Sequence, residues 1–362
     1  MTSPVFSQPV SDRRKDYIMK HTRLYFILAV ILLFGLQQCS ISKAQSSVPT
    51  AGTSLGAKPS PAPPALLPFI ADYQKNDISF SIAEVNGKLH LVTKELSIPL
   101  REKLHGIYEL PAGNPFSAVQ IEFVRNTDRN AFNVKIKNTV YERSVCSLRI
   151  TPLKPMSLLR KEALAAAPPR EYRDFRKPEL IEVNSLDPDI RLDIRYATKN
   201  NFMGAILYDE ARAFLQKPAA EALVKAGSLL RKRGYGLIIF DAYRPWYITK
   251  MFWDATPDAQ KIFVADPAKG SRHNRGTAVD LTIFDISTGR EIDMGGFYDE
   301  FGIRAWPDYR GGTSLQRWHR ALLQDIMKNY GFTVYPNEWW HFDHSTATEY
   351  PIMNIKFQDI RH

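Results

Sequence analysis

The sequence predicts an α+β protein, with a larger mixed domain preceded by a small antiparallel β module. Two observations carry this. From about residue 68 to 153 the apolar residues alternate in short runs separated by turn residues, which is the pattern of half-buried strands. After about residue 178, helical and strand patterns interleave without a strict β-α-β alternation. The chain has 362 residues, more than one domain usually holds. Its 44% hydrophobic and 12% aromatic content supplies packed cores and excludes global disorder.

Residues 1–44 have the layout of an export signal. Lys20 and Arg23 precede an apolar run from Leu24 to Leu36, short for a bilayer span but suited to a signal peptide. Ser42 and Ala44 offer the small residues a signal peptidase reads, and Met19 is an alternative start. Retention as an anchor, or lipidation at Cys39, are the competing readings. Export to the periplasm or cell envelope is the expectation. Residues 45–67 are rich in Pro, Ser and Ala and read as a tether.

In the 68–153 module, Ile78 to Ile82 alternates, and Asn86-Gly87 before Lys88 to Val92 is a two-residue hairpin signal. Val119 to Phe123 and Phe132 to Ile136 alternate again, and Val145 to Ile150 is expected to close the set as a barrel or sandwich. Its histidines, His90 and His105, are isolated, and no chemistry is assigned to it. Residues 154–178 are expected to be a connector. In the 179–362 domain, Ile190 to Tyr196 reads as a strand and Pro218 to Arg233 as a helix stopped by Gly234. Gly236 to Phe240 is a buried strand, Trp246 to Phe263 a second helix and Thr277 to Phe284 a strand. Thr313 to Tyr330 is a third helix, whose Trp318, Leu322 and Ile326 stripe reads as core, and Trp339 to Phe342 is a last strand.

The formal charge of +10 includes +4 from residues 1–44, where Arg13, Arg14, Lys15, Lys20, Arg23 and Lys43 face Asp12 and Asp16. The remainder suits attraction to anionic polymers. No basic run or binding motif supports a nucleic-acid partner. With only Cys39 and Cys146, a disulfide framework and any multi-cysteine metal site are excluded.

Two stretches concentrate ligand-type side chains, Ser271 to Asp280 and Glu338 to Phe342. His273, Asp280 and His341 are the imidazole and carboxylate set of a three-ligand zinc site that keeps a position open, with Glu338 as the carboxylate beside it. His273 and Asp280 are seven apart, which puts them on opposite faces of a straight strand. Both can reach one ion only if the chain bends, and Gly276 permits that bend. His319 and His344 are expected to be non-ligands.

The patterns Ser-x-His-x-x-Gly-x-Ala-x-Asp at 271–280 and Glu-x-x-His at 338–341 resemble the zinc motifs of peptidoglycan-directed D,D-peptidases that share the hedgehog-type fold. Tyr243-Arg244-Pro245, Asp280-Leu-Thr282 and Glu338-Trp-Trp-His341 resemble the D-alanyl-D-alanine dipeptidase branch. The resemblance covers roughly residues 179–355. It implies one Zn²⁺ per chain at His273, Asp280 and His341, with Glu338 as general base and then acid. Arg244 would stabilise the developing oxyanion, Asp299 would hold the substrate ammonium and Ser271 would line the same pocket. The implied substrate is the free D-Ala-D-Ala dipeptide. Carboxypeptidase or endopeptidase action on peptidoglycan peptides is the alternative, and a zinc-stabilised binding module without catalysis is the non-enzymatic one.

Overall fold

The computed structural model describes residues 55–111, 119–127, 131–145 and 148–360. The expected signal segment with Cys39, and Cys146, lie outside the described residues. No helix among the described residues is long and apolar enough to cross a membrane. The chain divides into two compact units: residues 1–145 with Arg310–Trp318, and residues 146–309 with His319–His362.

The first unit is built on nine short strands. They are β1 (Ala71–Lys75), β2 (Ile78–Val85), β3 (Lys88–Val92), β4 (Ser97–Pro99), β5 (Arg101–Leu104), β6 (Ile107–Glu109), β7 (Gln120–Arg125), β8 (Phe132–Ile136) and β9 (Thr139–Arg143). Their order is β4-β3-β2-β1-β9-β8-β7-β6-β5. Only Leu100 separates β4 from β5, so these are two halves of one bent strand and the sheet closes into a barrel. Closure removes the unpaired edges an open sheet would expose. The β2–β3 turn is the expected one: Asn86 and Gly87 both have positive φ, 50° and 80°, which matches the twist of the flanking strands. Inward side chains fill the barrel, among them Tyr73, Phe80, Ile82, Leu89, Ile121, Phe123 and Val134. Phe69 joins this core with its ring 4.4 Å from that of Phe123. The last strand of the set along the chain is β9; of the expected Val145 to Ile150, Cys146 and Ser147 lie outside the described residues and Val145 and residues 148–150 form no strand.

The second unit centres on a five-stranded sheet in the order β11 (Arg191–Leu192), β13 (Tyr235–Asp241), β14 (Ala278–Asp285), β16 (Glu338–His344), β15 (Phe332–Tyr335). A separate antiparallel pair joins β10 (Leu180–Glu182) to β12 (Phe214–Gln216). In the main sheet β11 runs parallel to β13. β14, β15 and β16 are antiparallel to their neighbours. Every residue of β13 is buried. Helix α1 (Met156–Ala165), within the expected connector, packs on α4 (Trp246–Ala255), and α2 is a single turn (Val183–Leu186). Helix α3 (Lys217–Arg231) lays Ala219, Leu223, Ala226 and Leu230 inward and packs on β13. Helix α5 (Ser314–Asn329), which enters this unit at His319, buries Leu322 and Ile326 as expected, whereas Trp318 of the expected stripe is only half-buried.

Two expected elements are shorter than the sequence pattern suggests. The helix from Trp246 stops at Ala255, because Pro257 disfavours helical backbone at Thr256 and lacks an N–H to continue the ladder. It gives way to a 3-10 turn, Asp258–Phe263. The strand expected over Ile190 to Tyr196 is only Arg191–Leu192, and the chain then turns through a 3-10 turn at Arg195–Ala197.

Candidate metal centre and active site

His273 is not on a strand. It opens a short 3-10 turn, His273–Arg275, whose start is set by the Ser271 hydroxyl accepting the His273 N–H at 3.2 Å. Gly276 then takes the left-handed conformation, φ 68° and ψ 28°, and β14 begins two residues later. This is the bend that the odd His273–Asp280 spacing requires. A Cβ at Gly276 would also lie 2.6 Å from Leu180 Cδ2, so glycine is needed for space as well as for φ.

The sheet register supplies the other members. Asp280 on β14 lies directly opposite His341 on β16 and opposite Asp241 on β13. The last pairing depends on a bulge. The β13–β14 register advances normally to Ile239↔Leu281 and then skips Phe240. A bulge inserts one residue and re-aims the side chains beyond it; without it Phe240, not Asp241, would face Asp280. Sequence reasoning missed Asp241, whose only signal is its place at the end of a buried strand immediately before Ala242-Tyr243-Arg244.

His273, Asp280 and His341 form the one group of three or more such side chains among the described residues that could hold a metal ion. Their ligand atoms lie within 4.8 Å of one another. The hydrogen bonds on the outer side of each ring decide what faces inward. His273 Nδ1 lies 2.6 Å from the Ala242 carbonyl oxygen, which can only accept, so Nδ1 carries the proton and Nε2 presents a lone pair. His341 Nε2 lies 3.0 Å from Asp343 Oδ1 and by the same argument donates, leaving Nδ1 to face inward. The two inner nitrogens are 3.0 Å apart, and Asp280 Oδ1 sits 3.3 Å and 3.0 Å from them. Asp280 Oδ1 is buried with no hydrogen-bond partner. Burial opposes a charge on the His341 imidazole, but Asp343 and Asp280 outweigh it and raise the imidazole well above its usual range, so in the metal-free protein a proton there takes the place a cation would fill. Outer-shell partners that orient ligating imidazoles are a mark of metal sites. The residues therefore fit a metal ion.

Glu338 Oε2 lies 3.6 Å from His341 Nδ1. Burial pushes the Glu338 carboxyl up to about 7, reinforced by Asp280 and opposed by His341 and Arg244. Arg244 is buried, with Nε and Nη2 each 2.8 Å from Asp241 Oδ2 and Nη2 3.7 Å from Asp280 Oδ2. Burial opposes its charge, but Asp241 and Asp280 more than offset this and hold the guanidinium well above its usual range. The other Asp241 oxygen accepts the Tyr208 hydroxyl at 2.7 Å.

Asp299 belongs to the same cluster. Its backbone is left-handed, φ 59°. Its Oδ1 accepts the Tyr196 hydroxyl at 3.0 Å, while Oδ2 is buried without a partner. Burial, with Asp280 adding to it, pushes the Asp299 carboxyl well above its usual range. A buried carboxylate oxygen with no donor is what an incoming ammonium group would satisfy. His319 and His344 lie outside the cluster. His319 Nε2 is 3.0 Å from the Tyr235 hydroxyl, and His344 Nδ1 is 2.8 Å from Thr346 Oγ1.

Comparison with known proteins agrees with the motifs. Residues 176–360 match the D-Ala-D-Ala dipeptidase family. The chain is 38% identical to a D-alanyl-D-alanine dipeptidase of Escherichia coli strain K12 over 179 residues, 49% of this chain and 91% of that one. It is 33% identical to one from Enterococcus faecium over 171 residues, 42% of this chain and 85% of that one. A solved LD-carboxypeptidase, LdcB, superposes with a TM-score of 0.28 at 18% identity, covering 56% of this chain and 88% of that one, a likeness too slight to argue from. The matched segment leaves the barrel outside it and contains every residue of the cluster just described. This chain belongs to the D-Ala-D-Ala dipeptidase family.

Proposed function

We propose that residues 179–362 form an exported zinc dipeptidase domain that hydrolyses D-alanyl-D-alanine to two D-alanines in the periplasm or cell envelope. The observation that carries this reading is the convergence of the His273, Asp280 and His341 ligand atoms within 4.8 Å of one another, with the Glu338 carboxylate 3.6 Å from His341 Nδ1. His273, Asp280 and His341 hold one Zn²⁺ per chain. Bound zinc polarises a water so that it can attack at neutral pH.

Glu338 accepts a proton from the attacking water and passes it to the leaving amine. A carboxylate positioned beside the metal-activated water can serve both halves of that transfer. Arg244, held charged and oriented by Asp241, stabilises the oxyanion that develops on the scissile carbonyl, a contribution of about 3 kcal/mol by comparison with single oxyanion-hole donors. Asp299 Oδ2 receives the α-ammonium of the dipeptide, so the substrate itself supplies the donor that buried oxygen lacks. Ser271 lines the same pocket and sets the turn that presents His273.

The test compares free D-Ala-D-Ala with its N-acetylated analogue, each with and without a chelator. The reading expects release of D-alanine from the free dipeptide only, abolished by the chelator and restored by zinc. Comparable turnover of the acetylated compound would instead establish a carboxypeptidase or endopeptidase acting on peptidoglycan peptides. Inactivity of the zinc-replete protein on both would favour a binding module.

A further inference from the structure

We propose that Tyr298 is a positioning residue that determines which oxygen of Asp280 faces the metal, an inference that rests on the zinc reading above. The two Asp280 oxygens have different surroundings. Oδ1 faces His273 Nε2 and His341 Nδ1, while Oδ2 accepts the Tyr298 hydroxyl at 3.0 Å and lies 3.7 Å from Arg244 Nη2. A carboxylate alone has no reason to prefer one oxygen over the other. A hydroxyl donating to one of them breaks that equivalence and leaves the other to coordinate. Partners of this kind, one bond behind the ligand, commonly tune metal affinity 10–100-fold.

The phenol ring is held independently of its hydroxyl. It is buried, with its centroid 4.7 Å from Phe240, 5.4 Å from Trp340 and 6.1 Å from Tyr196. Removing the oxygen alone therefore leaves the packing in place. The position in the chain matters too. Tyr298 directly precedes Asp299, whose left-handed backbone lets neighbouring side chains serve different partners, Tyr298 reaching Asp280 and Asp299 reaching Tyr196. One turn thus carries both a hold on the metal ligand and the proposed ammonium anchor. Phe240, the residue the β13 bulge skips, packs against Tyr298 with its ring tilted 39°, so the bulge that aims Asp241 also supplies a wall for this ring.

The experiment measures zinc affinity by competition with a chromophoric chelator in wild type, Tyr298→Phe and Tyr196→Phe, with the unfolding midpoint of each metal-free protein. Tyr196→Phe removes a hydroxyl from the same aromatic cluster, but one that bonds Asp299 and not Asp280. The expected result is a zinc Kd raised about 10–100-fold in Tyr298→Phe and near wild type in Tyr196→Phe, with the metal-free midpoints of the two variants lowered alike, since each loses one hydroxyl bonded to a buried carboxylate. Zinc binding by wild type with Tyr298→Phe within about threefold of it would overturn the role of Tyr298 and leave the zinc reading standing. Equal weakening in both variants would also overturn it, since loosening of the cluster would then suffice. Failure of the wild type to bind zinc would overturn the zinc reading itself, and this proposal with it.

Discussion

In the barrel, buried carboxylates are consumed by donors. Asp72 Oδ1 accepts the Ser81 hydroxyl at 2.6 Å, and Glu84 accepts the backbone N–H groups of Gly87 at 2.6 Å and Ser314 at 2.7 Å. Glu109 faces Arg101 and Lys103. In the second unit, Asp280 Oδ1 and Asp299 Oδ2 are buried with no hydrogen bond, whereas the barrel has no such atom among its described residues. Leaving a buried polar atom unpaired costs about 1–3 kcal/mol. The second unit has eight such atoms among its described residues, and two of them, Asp280 Oδ1 and Asp299 Oδ2, lie where a cation and an ammonium group are proposed to bind.

Breaking the Arg244–Asp241 pair should have the largest combined effect. Arg244→Ala is expected to lower kcat about 100-fold or more. It should also lower stability by about 3–5 kcal/mol, because Asp241 is left buried with only the Tyr208 hydroxyl. Steady-state kinetics and urea unfolding read the two separately, and loss of activity without loss of stability would count against the pairing. In the barrel, Ile121→Ala should cost about 2–5 kcal/mol of stability by opening a cavity, with kcat of the folded protein unchanged.

Asp299→Asn sharpens the contrast, because function and stability should move in opposite directions. Turnover of free dipeptide should fall about 10–100-fold, while stability at neutral pH stays equal or rises. The sign comes from the raised Asp299 pKa: above the unfolded-state pKa the native carboxylate is the disfavoured form, and Asn removes that penalty. A destabilised Asn variant would contradict this. The smallest effect is a pH slope. In metal-free protein Glu338 holds its proton up to about 7, against an ordinary 4.5, so the native state binds more protons across that interval. Stability should therefore fall as pH rises through that window, and Glu338→Gln should remove its share of the slope. Urea midpoints in chelator at about pH 5 and about pH 8 read it.

Much of the site is legible in the sequence because its constraints are local. The odd spacing of His273 and Asp280 demands a bend, and Gly276 stands where the bend occurs. Asp241 is not legible in this way. It reaches Asp280 only because the β13–β14 register skips Phe240, a property of pairing between strands that are distant in sequence. The Tyr298 hydroxyl bond to Asp280 likewise depends on the left-handed turn at Asp299. In the barrel, the alternating runs Ile78 to Ile82 and Phe132 to Ile136 can be read directly as parts of β2 and β8. Strand β5 cannot, since all four of its residues are exposed and it is held by its neighbours in the closed sheet. The end of helix α4 is signalled by Pro257, whose effect on the backbone outweighs the apolar residues beyond it.

The most direct test of the account is a metal analysis of Glu338→Ala alongside its turnover of D-Ala-D-Ala, because the holding groups and the proton-moving group are separate side chains. The account predicts about one zinc per chain, as in wild type, with turnover lost by about 100-fold or more. A Glu338→Ala protein that hydrolyses the dipeptide at the wild-type rate, or a wild-type protein active without bound metal, would contradict it.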